Sequence, residues 1–350
     1  MNFKSNDLKE FRKTKGPLID VRSPDEYYKG HMPNSINIPI FNNEERSIIG
    51  KKYKNFGREI AVREGFKIIE NKIEKLIQEI ILIKDEFLIS TGGKFLNGEN
   101  IKIYCARGGM RSQSMFWLLG KFKCQCVTLN GGYKTYRNWV LNRFKDKQKL
   151  IVIGGKTGTR KTKILNKLKS LDYQILDFES LANHRGSSFG GLGMIEQPTN
   201  EQYENLISED LDKFDKLKFI FVEAESPNIG KNRIPHELYN QMKNSKRIEI
   251  LRDERIRIDE LVNTYSKYDK NDLKESVLRI SKRLGPQRTK SAIDSIDNED
   301  WENVCKSVLD YYDRCYEHEL SNKKDVKILN MESKTDIEII KEIKNTLTTW

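Results

Sequence analysis

No run of 18 or more apolar residues occurs anywhere in this 350-residue chain, so the sequence offers no membrane-spanning helix. The amino terminus, Met1-Asn2-Phe3-Lys4-Ser5, lacks the apolar core of a secretory signal, and the expected location is cytoplasmic. Cysteine is scarce: the five residues are odd in number, scattered and without a zinc-type double pair, which argues against a disulfide scaffold or a four-thiolate zinc module. Cys124 and Cys126 form a lone C-x-C, read as small core residues on one side of a strand in a reducing compartment. There is no internal repeat and no low-complexity linker. What is present, 37% hydrophobic and 33% charged residues, describes a globular chain long enough for two domains.

The charge is one-sided, +12 at neutral pH. A basic surface speeds encounter with polyanions such as nucleic acid, but a lysine-rich solvated surface gives the same number. Charge alone leaves both readings open.

Along the chain, Pro17–Val21 reads as a buried strand, Asp25–Tyr28 as a short helix, Gly30–Asn34 as a turn and Ile36–Pro39 as a second strand. The segment from Asn42 to about Asp85 has helical periodicity. Ile101–Tyr104 is a strand ending at Cys105, Met115–Leu119 a helix, Cys126–Leu129 a strand, and Tyr133–Phe144 a helix. The charged stretch 145–149 marks a boundary. Strands are then expected at 150–153, 173–176, 218–222, 247–251 and 326–329, with charged helices between them, the pattern of a mostly parallel α/β sheet. The expected division is a first domain over 1–145 with a helical insertion, and a second over 146–350.

Two loops carry chemistry. In Cys105-Ala106-Arg107-Gly108-Gly109-Met110-Arg111-Ser112, a cysteine sits between a strand and a helix. Loop amides and the helix dipole there favour a thiolate and bind an anion beside it, and Gly108 and Gly109 permit the tight curl. Cys105 is the expected nucleophile, Arg111 a fixed positive charge, and Arg107 a group facing a partner. The second loop, Gly155-Lys156-Thr157-Gly158-Thr159-Arg160-Lys161-Thr162, follows a strand and opens a helix, the context in which a Walker A loop has meaning. Gly155, Gly158, Lys161 and Thr162 would bind a diphosphate or triphosphate. Arg160 stands where the pattern has glycine, so backbone strain is expected there. Phe219–Ser226 resembles a Walker B strand with Glu223 and Glu225 at its end, candidates for a metal-bound water or a base. His184 and Arg185 are candidate substrate contacts in a loop after a strand. His31 reads as structural.

The segments Leu18–Tyr27, Gly30-His31-Met32-Pro33, Cys105–Ser112 and Leu129–Tyr133 resemble the rhodanese family in order and spacing. The C-x5-R loop is longer than in many sulfurtransferase rhodaneses and has the length used by cell-cycle dual-specificity phosphatases and some arsenate reductases, wide enough for phosphate or selenophosphate. Further stretches are similar to the bacterial tRNA 2-selenouridine synthase family: Asn43–Arg46 with Gly50–Lys54, Gly131–Arg137, Leu181–Gly190, Gln197-Pro198, and Glu223–Ser226 with Ile229–Lys231. The resemblance implies a rhodanese-like domain followed by a P-loop NTPase-like α/β domain. It implies an enzyme that geranylates a wobble 2-thiouridine of tRNA with geranyl diphosphate and then exchanges the S-geranyl group for selenium from selenophosphate, delivered through Cys105. No tightly bound cofactor is expected, Mg2+ is a candidate, and no residue set is firmly assigned to a metal.

The basic balance then suggests tRNA phosphate contacts from Arg252, Arg255 and Arg257, and from Arg279, Lys282 and Arg283 on one helix face. Three rivals stand beside this reading: a simple sulfurtransferase, a C-x5-R cysteine phosphatase, and a non-enzymatic tRNA-binding module.

Overall fold

A computed structural model describes residues 5–90, 100–320, 325–332 and 334–349. The chain divides into two units, Met1–Asn142 and Arg143–Trp350.

The first unit runs β1 (Ser5–Asn6), α1 (Leu8–Lys13), β2 (Leu18–Asp20), α2 (Pro24–Lys29), β3 (Ser35–Asn37), α3 (Asn43–Glu70) and α4 (Ile73–Ser90). It continues with β4 (Ile101–Tyr104), α5 (Met110–Lys121), β5 (Cys126–Leu129) and α6 (Gly132–Arg143). The strands form one parallel sheet in the order β1-β5-β4-β2-β3, with Ile103 of β4 paired to Ile19 on one side and Thr128 on the other. Ile19, Ile101, Ile103 and Val127 are buried, as a parallel sheet covered on both faces requires. The ladder places the carboxyl ends of β2, β4 and β5 at one edge, where α/β proteins bind ligands.

The segment read as one helical stretch is two helices, and the first is interrupted. Gly57 has φ 84° and ψ −178°, outside helical space, and the chain breaks again between Glu70 and Ile73. Asn42 starts α3 with a reciprocal cap: its Oδ1 accepts from the Glu45 amide at 2.8 Å and its own amide donates to Glu45 Oε2 at 2.9 Å. Cys124 and Cys126 are both buried in the core, and burial beside Cys124 pushes the Cys126 thiol up to about 12. Only Cys126 lies in β5.

The second unit begins β6 (Leu150–Gly154), α7 (Lys161–Lys169), β7 (Gln174–Leu176), α8 (Phe178–Ala182), α9 (Asn200–Lys213) and β8 (Ile220–Glu223). A short antiparallel ribbon, β9 (Asn228–Ile229) and β10 (Asn232–Arg233), precedes α10 (His236–Lys243) and β11 (Lys246–Leu251). Four helices follow: α11 (Glu254–Tyr265), α12 (Lys270–Leu284), α13 (Pro286–Asp297) and α14 (Trp301–Leu320). The unit closes with β12 (Val326–Asn330) and α15 (Asp336–Thr348). Its parallel sheet has the order β12-β11-β6-β8-β7, with β6 central and the phosphate loop at its end. The α11–α14 layer has its own apolar core around Leu273, Val277, Ala292 and Val308. Among the described residues no helix is long and apolar enough to cross a membrane.

Candidate active sites

The Cys105 loop is held open by its neighbour. The amides of Tyr133 and Lys134, in the first turn of α6, donate to the carbonyls of Cys105 and Ala106 at 2.8 and 3.0 Å. Those carbonyls are engaged by α6, and the sulfur sits at the N-terminal end of α5, where the helix dipole favours an anion. Two glycines make this approach sterically feasible. Gly108 has φ 64°, and a Cβ there would lie 2.7 Å from the Leu129 carbonyl; a Cβ on Gly132, φ 56°, would lie 2.2 Å from the Cys105 carbonyl.

Cys105 is 3% exposed. Its sulfur lies 3.2 Å from Ser112 Oγ, one turn into α5, and 3.9 Å from the Gly109 carbonyl. The loop motif ends at Ser112 with no role read for it from sequence; its place, buried against the sulfur, follows from the helical start at Met110. Arg107 is exposed at the rim.

Arg111 is not a free cation. Its guanidinium donates to both oxygens of Glu26 at 2.5 and 3.0 Å, and Arg46 lies 3.7 Å from the same carboxylate. Burial alone would raise the Glu26 carboxyl, but the hydrogen bonds and charge of Arg111 outweigh it and hold the group at about 2. Glu26 also accepts from the Ser23 amide at 3.1 Å, so one carboxylate caps α2 and tethers the loop arginine. Behind the loop, Asp20 and Arg22 form a fully buried pair at 2.6 Å; Arg22 also donates to the Gly30 carbonyl and lies 3.8 Å over the Tyr133 ring. His31 stacks on Tyr27 at 3.8 Å with its Nδ1 3.0 Å from the Tyr27 carbonyl, and burial lowers its pKa, a structural arrangement.

In the second unit, Lys161 Nζ donates to the Gly155 carbonyl at 2.8 Å and pairs with Glu223 at 3.4 Å, while Thr162 Oγ1 donates to Glu223 at 3.2 Å. The loop lysine, the loop threonine and the strand-end acid therefore meet. Gly158 packs on the backbone of Arg257, where a Cβ would come within 2.7 Å of a carbonyl. Arg160 has φ 64°, the left-handed conformation that crowds the Cβ of any residue but glycine, and its guanidinium pairs with Glu260 at 2.9 Å. Below the loop, Tyr316 accepts from the Gly155 amide and donates to buried Glu249 at 2.8 Å.

Glu223 and Glu225 are joined by a third acid that the sequence did not single out. Glu179 of α8 brings a carboxylate oxygen to within 4.8 Å of theirs. Burial, and then the Glu223 charge, raise the Glu179 carboxyl to about 8. An all-oxygen set of this kind beside Thr162 suits a hard divalent cation. His184 follows α8; its amide donates to the Glu179 carbonyl at 3.0 Å, and its ring packs on Gly190, Gly191 and Gly230. Burial, then Arg279 and Arg185, lower the His184 pKa, and its buried Nδ1 has no hydrogen-bond partner among the described residues. Arg185 donates to the Leu192 carbonyl at 2.8 Å and to the Tyr268 hydroxyl at 3.4 Å, and its charge acts on the Glu179 carboxyl.

Two of the arginines expected to face phosphates do not. Arg252 and Arg257 are 8% and 4% exposed. Arg252 pairs with Asp336 and donates to the Lys334 carbonyl; Arg257 forms a two-pronged pair with Asp313 and donates to the Thr157 carbonyl at 2.8 Å. They brace the second unit. Arg255, Arg279, Lys282 and Arg283 are exposed.

Comparison with known proteins brings both halves together. A family model described as the tRNA 2-selenouridine synthase AAA domain matches residues 148–347, and one described as a rhodanese-like domain matches residues 5–139. A tRNA 2-selenouridine synthase of Sulfurovum sp. (strain NBC37-1) is 33% identical over 349 residues, covering 90% of this chain and 92% of that protein. The protein of the same name from Nitrosomonas eutropha is 34% identical, covering 75% of this chain and 66% of its own length. Among solved structures, the full-length tRNA isopentenylpyrophosphate transferase from Bacillus halodurans aligns over 58% of this chain and 96% of its own, at 14% identity and a TM-score of 0.35, too distant to bear on fold or chemistry.

Proposed function

The chain belongs to the tRNA 2-selenouridine synthase family, enzymes acting on tRNA, and we propose that it converts wobble 2-thiouridine to 2-selenouridine in two steps, one in each unit. The observation that carries this reading is the pairing, in one chain, of a buried strand-end cysteine at the N-terminus of a helix with a phosphate loop whose lysine and threonine meet the strand-end carboxylate of Glu223.

The first step is geranylation at the phosphate loop. The 2-thio sulfur attacks C1 of geranyl diphosphate, the C1–O bond breaks, diphosphate leaves, and the uracil ring releases a proton. Gly155, Gly158, Lys161 and Thr162 hold the diphosphate and stabilise the charge that grows on it as it departs. No γ-phosphate is cleaved, so Arg160 in place of glycine is compatible with the task. Glu179, Glu223 and Glu225 with Thr162 would hold a Mg2+ ion, which would neutralise part of the diphosphate charge.

The second step belongs to Cys105. Its thiolate attacks the phosphorus of selenophosphate, so that a P–S bond forms and the P–Se bond breaks; the selenide so freed attacks C2 of the base, where the C2–Se bond forms and the C2–S bond breaks, and water hydrolyses the Cys105 thiophosphate to phosphate and free thiol. Over the whole step S-geranyl-2-thiouridine, selenophosphate and water give 2-selenouridine, geranylthiol and phosphate, with no net oxidation. Alkylation turns the 2-thio group into a better leaving group, which accounts for the detour.

The test is Lys161→Ala with tRNA bearing 2-thiouridine and geranyl diphosphate. The reading expects S-geranyl product to vanish, with Cys105→Ser retaining it. Undiminished geranylation by Lys161→Ala would remove the phosphate loop from the reaction.

A further inference from the structure

The Cys105 cleft has a wall that a small inorganic anion does not need. The N-terminus of α5 and Arg107 supply the positive end that selenophosphate needs. Yet the cleft, about 740 Å³, is faced by Ile49, Tyr53, Val62, Phe66 and Ile69 of α3. Tyr53 and Phe66 are 56% and 65% exposed, large aromatic rings held in water beside a buried nucleophile. Apolar surface of this kind, rimmed by charge, marks a binding site. Two arginines, Arg46 and Arg107, line the same cleft, together with the paired Glu26 and Arg111. A ligand that satisfies all three features carries a hydrocarbon, a reactive centre for Cys105, and phosphates beyond it.

We propose that the α3 wall binds the geranyl chain of S-geranyl-2-thiouridine, with the tRNA backbone phosphates on Arg46 and Arg107 and the C2–S bond presented to the selenide freed at Cys105. This rests on the two-step reading above and deepens it, because it gives the second step a means of recognising its substrate. A tRNA still carrying plain 2-thiouridine has nothing to bury against Tyr53 and Phe66, so the cleft selects the alkylated base and sets the order of the steps. When the C2–S bond breaks, the chain departs with sulfur as geranylthiol and the wall is emptied for the next turnover.

The experiment uses the full-length protein, selenophosphate, and tRNA carrying S-geranyl-, S-dimethylallyl- or S-methyl-2-thiouridine, with 2-selenouridine quantified by mass spectrometry. Buried methylenes discriminate steeply, so kcat/KM for the geranyl substrate is expected to exceed that for the dimethylallyl one by at least about tenfold, mainly through KM. In the double variant Tyr53→Ser/Phe66→Ser the preference collapses, while Phe66→Leu keeps it; thermal melting of each variant guards against misfolding. Equal kcat/KM for all three substrates, with 2-selenouridine formed from each, would overturn chain recognition and leave the two-step reading standing. A native preference surviving in the double variant would overturn the role of α3. No 2-selenouridine from any of the three would overturn both this inference and the reading beneath it.

Discussion

Replacing Glu26 with Gln removes the charge that tethers Arg111 while preserving size and shape. In the native protein Glu26 accepts two hydrogen bonds from Arg111 and one from the Ser23 amide, and lies near Arg46. A carboxyl that titrates at about 2 instead of 4.5 is favoured in its ionised form by at most about 3 kcal/mol. Because the native pKa is depressed, that stability is fully present above about pH 4.5 and is lost as pH falls toward 2. Partial exposure of the side chain reduces the figure, so Glu26→Gln is expected to cost about 1–3 kcal/mol at pH 7. By pH 3 the cost should shrink to less than half. Urea unfolding read by amide hydrogen exchange in α2 and α5 reports on this unit directly. A cost that is equal at pH 7 and pH 3 would show that the ion pair is not its source.

Other outcomes follow from buried charge and backbone. Asp20→Ala leaves Arg22 buried without its acceptor and should destabilise the first unit by about 3–5 kcal/mol in urea, whereas Asp20→Ala with Arg22→Leu should recover much of the loss. Arg160→Gly relieves a left-handed residue and should raise the melting temperature, a gain of about 1 kcal/mol set against the weaker loss of the Glu260 pair; a lower melting temperature would refute the strain. The logarithm of tRNA affinity should fall linearly with the logarithm of salt concentration, and Arg255→Ala or Arg279→Ala should each lower that slope by about 1. An affinity indifferent to salt would dismiss the phosphate contacts.

The parts of the molecule that are legible in the sequence are those whose signals are local. The strand running into Cys105, the glycine pair after it, and the strand-loop-helix around Lys161 are each written within about ten residues, and the rhodanese-like and P-loop-like α/β folds follow from them. What the sequence hides is partnership across distance. Glu26 and Arg111 are 85 positions apart, Arg252 and Asp336 84, Arg257 and Asp313 56. Without the fold, Arg252 and Arg257 look like surface cations, and Arg111 like a free one. Glu179 joins Glu223 and Glu225 only because β7 pairs with β8 and carries α8 over the sheet edge. The interruption of α3 at Gly57 has a visible sign in the glycine itself, and the apolar spacing that marks a helix lies beyond it, from Ile68 to Ile81.

The central claim, that Cys105 performs the second of two steps, is tested most directly by the nucleosides of tRNA from cells whose only copy of the protein is native or Cys105→Ser. The account predicts that 2-selenouridine disappears in the variant and S-geranyl-2-thiouridine accumulates; unchanged 2-selenouridine would contradict it.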